Sequence, residues 1–119
     1  MDDLALQDKI DKLHCAVFTL LHSTYLYTDE LAIWNLNIHR QIEELYTFHG
    51  ASVEQEASLC LAILMGYSVM MYANPEDEFR KQEILERAQK IIEKKDPISL
   101  KKQLLDICQE YERDYNILK

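Results

Sequence analysis

Apolar residues recur along four segments of the chain with the period of an amphipathic α-helix. In the first segment, from about residue 2 to 22, the apolar row is Leu6, Ile10, Leu13, Val17 and Leu20. In the second, from about residue 28 to 49, it is Leu31, Trp34 or Asn35, Ile38, Ile42 and Leu45. Steps of three and four residues keep side chains on one helix face, so each segment is predicted to be a helix with one buried side.

The other two amphipathic segments each begin with a capping residue followed by proline. Asn74-Pro75 and Asp96-Pro97 are typical helix starts, because Asn and Asp cap N-termini and proline is tolerated at the first helical position. The expected inner row of the earlier helix is Phe79, Ile84 or Leu85, Ala88, and Ile91 or Ile92. In the last helix it is Leu100, Leu104, Ile107, Tyr111 and Leu118.

Between these pairs lies a run without a single charged side chain, ASLCLAILMGYSVMMYA, from Ala57 to Ala73. Gly50 fits the left-handed position beyond the second helix, and Ser52 with Gln55 resembles a capping box that opens the next one. As a helix the run is roughly 26 Å long, slightly short of a ~30 Å bilayer core, and acidic residues flank it on both sides. The sequence therefore favours a buried helix over a membrane span.

A helix that is apolar on every side must be covered on every side, and the four amphipathic helices can do this. We therefore predict an all-α fold, a single-domain helical bundle of about five helices around a buried central helix at about 53–73, with residues 1–119 forming the domain. The low count of two glycines and two prolines favours long helices with few tight turns. The predicted central core residues are Leu59, Ile63, Leu64 and Met70.

Gly66 interrupts this central run, where glycine costs about 1 kcal/mol relative to alanine. Close approach of a neighbouring helix is the simpler explanation, and a small ligand that touches the backbone is the alternative. The tyrosines on apolar rows, such as Tyr67, are interpreted as core residues whose hydroxyl groups form one hydrogen bond.

The formal net charge of −8 is concentrated in the first half of the chain. Residues 1–56 carry ten Asp/Glu against three Lys/Arg, a net charge of −7, whereas residues 57–119 carry eleven against ten, a net charge of −1. This balance argues against direct nucleic-acid binding. It indicates either ordinary solubility or a surface that attracts a basic protein. The candidate partner-binding residues, which fall off the apolar rows, are Asp8, Asp11, Glu43 and Glu44.

Motifs for catalysis or cofactor binding do not stand out. His39 and Glu43 share a helix face and could hold a metal ion, but no third ligand is visible at a suitable spacing. Cys60 lies in the apolar run, without the electropositive setting that activates a thiol.

The three cysteines are expected to be reduced and buried, and the N-terminus, Met1-Asp2-Asp3, does not resemble a secretory signal. We therefore expect a cytoplasmic protein that is not an enzyme and has no cofactor or metal.

Several short stretches resemble the UpxZ family of transcription antitermination antagonists. The resemblance covers roughly residues 20–95 and rests on Tyr27-Thr28-Asp29, Trp34-Asn35, Leu45-Tyr46, Gly50, Glu54-Gln55-Glu56-Ala57, the run Leu59 to Tyr67, and Tyr72. Lys81, Ile84, Arg87 and Ile92 are compatible with the next helix of the family. The match is strongest over the central run, and the chain looks shorter than the family at its C-terminus.

The resemblance implies a regulatory function in Bacteroidales. UpxZ-like proteins are encoded with UpxY, a NusG-like antitermination factor, at capsular polysaccharide loci, and they inhibit the UpxY proteins of other loci. The implied partner is therefore a NusG-like antitermination protein, and the family implies no catalytic residues. Two alternatives remain open from the residues: a helical adaptor or homo-oligomerisation module, and a small-molecule sensor with a pocket beside Gly66.

Overall fold

Five helices follow one another in the computed structural model, which describes residues 3–22, 28–69, 75–93 and 101–117. They are α1 (Asp3–Leu21), α2 (Thr28–Leu45), α3 (Val53–Val69), α4 (Pro75–Glu93) and α5 (Lys101–Ile117). The part of the chain that is described contains no strand, and the predicted all-α fold of about five helices is confirmed.

The third helix is the centre of the fold, as its uncharged run from Ala57 onward predicted. It packs against α1, α2, α4 and α5, and all but one of the residues from Ala57 to Leu64 are buried. Leu59, Ile63 and Leu64 are completely buried, whereas Met70 lies outside the described residues. None of the described helices is both long and apolar enough to cross a bilayer. A helix without a polar face is stable here because four neighbours cover it.

The predicted capping box at the start of α3 is present, displaced by one residue in its second half. The backbone N–H of Gln55 donates to the Ser52 hydroxyl at 3.1 Å, and the Gln55 side-chain carbonyl accepts from the Ala51 N–H at 2.7 Å. A standard box would return to the N–H of Ser52 itself. The first bond satisfies a backbone donor that the first helical turn leaves without a partner, and the second ties the residue before the cap to the helix.

The prediction that Gly50 adopts a left-handed conformation is wrong, because its φ is not positive. Its importance lies in close packing instead. A Cβ atom at this position would lie 2.7 Å from the backbone carbon of Gln55 and 2.8 Å from the Cα of Glu56. Only glycine allows the segment after α2 to pass so close to the start of α3.

Gly66 permits a close approach between α3 and α2, the simpler of the two explanations drawn from the sequence. A Cβ atom there would lie 2.8 Å from Ile42 Cδ1 and 3.4 Å from Ile38 Cγ2. Side chains of α2 therefore occupy the space beside Gly66 that a small ligand would need. This packing removes the support for a sensor pocket beside Gly66.

The inner row of α4 differs from the prediction at its first position. Phe79 is 76% exposed, whereas Asp77 is 2% exposed and shares the buried face with Ile84 and Ala88. The reason is helical geometry. Five residues at roughly 100° each place Phe79 about 140° from Ile84, whereas the seven residues from Asp77 to Ile84 return almost to the same side.

The other predicted rows agree with the structure where it describes them. Buried members are Leu6, Ile10, Leu13, Val17, Asn35, Ile38, Ile42, Leu45, Ile91, Leu104 and Ile107, while Leu20, Trp34, Leu85 and Ile92 are partly buried against the core. The predictions for Leu31, Leu100, Tyr111 and Leu118 concern side chains outside the part of the structure that is described. All three cysteines are free thiols, but Cys15 is exposed, which corrects the prediction that each would be buried.

Candidate functional site

Three of the four candidate partner-binding residues lie on the surface formed by α1 and α2. Asp8 and Glu44 keep 65% and 51% of their side-chain surface exposed, and Asp11 is also exposed. Each of the three carboxylates forms an ion pair or a hydrogen bond with another side chain of the protein. Asp8 pairs with Lys12 at 3.2 Å, Glu44 pairs with Lys9 at 3.5 Å, and Asp11 accepts a hydrogen bond from Gln7 at 2.9 Å.

A cleft of about 380 Å³ runs between the two helices beside these carboxylates. Its lining consists of Lys9, Lys12, Asn37, Arg40, Gln41, Glu44 and Leu45. All three basic residues of the first half of the chain are thus gathered at one cleft. The acidic half therefore presents alternating charge on this face, and a partner would meet carboxylates around a basic groove.

Glu43, the fourth candidate, lies on the other flank of α2 and faces α4. It is 33% exposed, contacts the guanidinium of Arg80, and lies 3.6 Å from His39 Nε2. Arg80 also lies over the ring of Tyr46, 5.0 Å from its centroid. The sequence pattern predicts that Glu43 is exposed like the other three carboxylates, but the fold makes it part of a half-buried polar bridge between α2 and α4.

Two further polar residues of α4, whose contacts the sequence pattern did not reveal, join this helix to its neighbours. Asp77 Oδ1 lies 3.1 Å from His39 Nε2, so a histidine of α2 contacts a buried carboxylate of α4. Arg87 donates to the backbone carbonyls of Tyr46 at 3.1 Å and Phe48 at 2.8 Å, and it also contacts Glu56. The position of Asp77, seven residues before Ile84, was the sequence signal for its burial.

A second, mainly apolar cleft of about 380 Å³ opens beside the C-terminal half of α1. Its lining consists of His14, Cys15, Phe18, Thr19, Leu21 and Met65. Phe18 and Leu21 are more than half exposed, and the ring of Phe18 packs against that of His22 with centroids 4.2 Å apart. Exposed apolar side chains beside a cleft are typical of contact surfaces for other proteins.

Cys60 lacks the features of a catalytic nucleophile. It is completely buried in α3, and this burial raises the pKa of its thiol to about 12, although the charge of Arg87 acts in the opposite direction. A thiol with so high a pKa remains protonated near neutral pH, and the thiolate is the reactive form. This supports the sequence interpretation of Cys60 as an inert core residue.

Comparisons of the sequence and of the structure with known proteins each find a match. A family model described as the UpxZ family of transcription anti-terminator antagonists matches residues 7–110. The chain is also similar to the crystal structure of a transcription anti-terminator antagonist UpxZ from Bacteroides uniformis, with a TM-score of 0.65 and 19% sequence identity over 92% of this chain and 94% of that chain. At this identity the structural likeness shows a shared fold alone. No curated protein matches the chain.

Proposed function

Because the chain belongs to the UpxZ family of transcription anti-terminator antagonists, we propose that it binds a NusG-like anti-terminator of the UpxY type and inhibits it. The family is regulatory and non-enzymatic, which agrees with the prediction from the sequence. The observation that carries the proposal is the family match, because it extends from α1 into α5 and so includes all or part of each described helix.

The proposed targets are the anti-terminators of other capsular polysaccharide loci, acting in the same cytoplasm. Inhibition of these proteins would limit transcription of competing operons, so that one capsule operon is read at a time. The antagonist would act by occupying a surface that the anti-terminator needs for its own partners. Such a mechanism requires affinity and a suitable surface, and it requires no catalytic group in the antagonist.

The proposed contact surface is the exposed face of α1 and α2 around Asp8, Asp11 and Glu44. Its exposure, and the ion pairs that join Asp8 and Glu44 to lysines of α1, support this choice. Lys9 and Lys12 lie among the carboxylates, so the face fits a partner with basic groups that flank a smaller acidic feature. Charges arranged in this way act mainly on the association rate and on the choice of partner.

The experiment measures binding of the purified protein to purified NusG-like anti-terminators at low and moderate salt, by biolayer interferometry. We expect direct binding, and the triple variant Asp8→Asn, Asp11→Asn and Glu44→Gln should associate several-fold more slowly at low salt. The matched control, Glu86→Gln, Glu93→Gln and Asp106→Asn, removes three exposed carboxylates from α4 and α5 and should associate like the wild type.

Glu43 is tested separately as Glu43→Gln, because its pairing with Arg80 makes any loss of binding ambiguous unless the stability is measured as well. Equal association rates for the triple variant and the control would exclude the proposed acidic surface. Failure of the wild type to bind any of several NusG-like anti-terminators would exclude the proposed function. Self-association in the same samples would then favour the adaptor or oligomerisation alternative.

A further inference from the structure

One nitrogen and two carboxylates come together where α4 begins beside the middle of α2. His39 Nε2 lies 3.1 Å from Asp77 Oδ1 and 3.6 Å from Glu43 Oε1, and one ligand atom from each of the three residues lies within 4.8 Å of the other two. His39 and Glu43 share a face of α2 at a spacing of four residues, and Asp77 comes from the first turn of α4. The third ligand that the sequence did not reveal is therefore supplied by the packing of the helices.

We propose that His39, Glu43 and Asp77 form a binding site for one divalent transition-metal ion of the Zn²⁺ class. An imidazole nitrogen and carboxylate oxygens are usual Zn²⁺ ligands at about 2.0–2.2 Å, so ligand atoms in a tetrahedral site lie roughly 3–4 Å apart. The observed separations need only a small side-chain adjustment to reach that range. Three protein ligands leave a fourth position for water or for a group of a partner protein.

The surroundings of Asp77 supply a second, independent observation. Tyr67 is nine-tenths buried, and its hydroxyl has no hydrogen-bond partner among the described residues. Burial raises the pKa of Tyr67, and the charge of Asp77 is the next contributor, which places the phenol within electrostatic reach of the cluster. A metal-bound water or a ligand carboxylate would accept the hydrogen bond that Tyr67 lacks, in the way that outer groups commonly orient metal ligands.

Arg80 is expected to limit the affinity of the site for a metal ion. Its guanidinium contacts Glu43, so a positive charge lies beside the place that a cation would take. The two carboxylates and the guanidinium of Arg80 sum to one negative charge, which predicts moderate affinity for a cation. Arg80 also lies over the ring of Tyr46, and this second contact lets it withdraw from Glu43 without losing every favourable interaction.

The test is isothermal titration of metal-free protein with Zn²⁺, carried out in the Cys15→Ser background so that the exposed thiol cannot bind the metal. We expect one Zn²⁺ per chain and a higher melting temperature with Zn²⁺, because a ligand that binds only the folded state stabilises it. His39→Gln, Glu43→Gln and Asp77→Asn should each weaken binding at least tenfold. Circular dichroism establishes that each variant is folded.

The matched control is His49→Gln. His49 lies 2.9 Å from Glu56, so this change also removes a histidine beside a carboxylate, but His49 belongs to no three-residue cluster among the described residues. It should retain the wild-type affinity. If Asp77→Asn does not fold, the other two ligand variants decide the question.

Arg80→Gln provides a result that a purely structural bridge would not produce. Removal of the competing positive charge should strengthen Zn²⁺ binding several-fold, and Co²⁺ should give visible absorption without a thiolate charge-transfer band. The proposal is overturned if the wild type binds no Zn²⁺ or if the ligand variants bind as well as the wild type. It is also overturned if Arg80→Gln binds no more tightly than the wild type.

Discussion

At the scale of single residues, burial is the main cause of the pKa shifts of three side chains that face α3 or belong to it, His14, Cys60 and Tyr67. His14 of α1 is half-buried, and its Nε2 lies 3.3 Å from the backbone carbonyl of Ser58. Desolvation lowers the pKa of His14 from its ordinary value of 6.5, and the Ser58 carbonyl and the charge of Asp11 only partly oppose this effect. The folded protein therefore keeps His14 neutral to a lower pH than the unfolded chain does.

His14 should make the protein less stable as the solution becomes acidic. Above its unfolded-state pKa of 6.5 the residue is neutral in both states, and its contribution to stability is fully present. As the pH falls below that value and through the lower folded-state pKa, the unfolded chain binds more protons and this contribution is lost. Urea unfolding between about pH 7 and pH 5 should therefore give a shallower decline for His14→Gln than for the wild type.

The glutamine side chain keeps a donor for Ser58 and does not titrate in this range. His22→Gln, which changes an exposed histidine at the end of α1, is the matched control and should follow the wild type. A slope for His14→Gln equal to that of the wild type would show that another group causes the acid sensitivity.

At the scale of helices, the contact between α2 and α3 depends on Gly66. The helix interior would gain about 1 kcal/mol from alanine at this position. The added methyl group would lie 2.8 Å from Ile42 Cδ1, and Ile42 is completely buried, so it has little room to move. Overpacking of this kind usually costs about 1–3 kcal/mol, which equals or exceeds the gain in helix propensity.

We therefore expect Gly66→Ala to lower the free energy of unfolding by about 1 kcal/mol. The companion change is Ile42→Val, which removes the Cδ1 atom that the new methyl group would meet. The double variant should be more stable than the sum of the two single changes by about 1 kcal/mol. Additive effects in urea unfolding, or a stabilising Gly66→Ala, would show that the two helices are not in contact at this point.

At the scale of the whole molecule, Arg87 connects three parts of the fold. From α4 it reaches the carbonyls of Tyr46 and Phe48 in the segment after α2, and it pairs with Glu56 in the first turn of α3. The side chains of Arg87 and Glu56 are 16% and 19% exposed, so water screens this pair only weakly. The arginine thereby holds the α2–α3 connection against α4.

Arg87→Met should destabilise the protein by about 2–3 kcal/mol, because it leaves two carbonyls and a carboxylate without their charged donor. The control is Lys12→Met, which breaks an exposed pair with Asp8 and should change the stability by less than about 1 kcal/mol. Both values come from chemical unfolding at neutral pH. Similar small losses for the two variants would mean that the segment after α2 is held without Arg87.

Much of the fold could be predicted because the sequence patterns that specify it involve residues close together in the chain. The period of Leu6, Ile10 and Leu13 places them on one side of a helix wherever that helix lies, and the bonds of Ser52 and Gln55 span only a few residues. The uncharged run around Leu64 also predicted its own burial, since no face of that helix could be left in water. Residue type and spacing alone determined five helices with one at the centre.

The candidate site depended on contacts between residues that are far apart in the chain. Lys9 and Arg40 line one cleft because α1 and α2 pack side by side, so a face that looked acidic by composition carries alternating charge. Asp77 meets His39 only because α4 and α2 both pack against α3. The helical period of a sequence predicts which face of its own helix a side chain occupies. It does not predict which other helix packs against that face. The three-dimensional packing alone decided which charges are paired and where potential metal ligands meet.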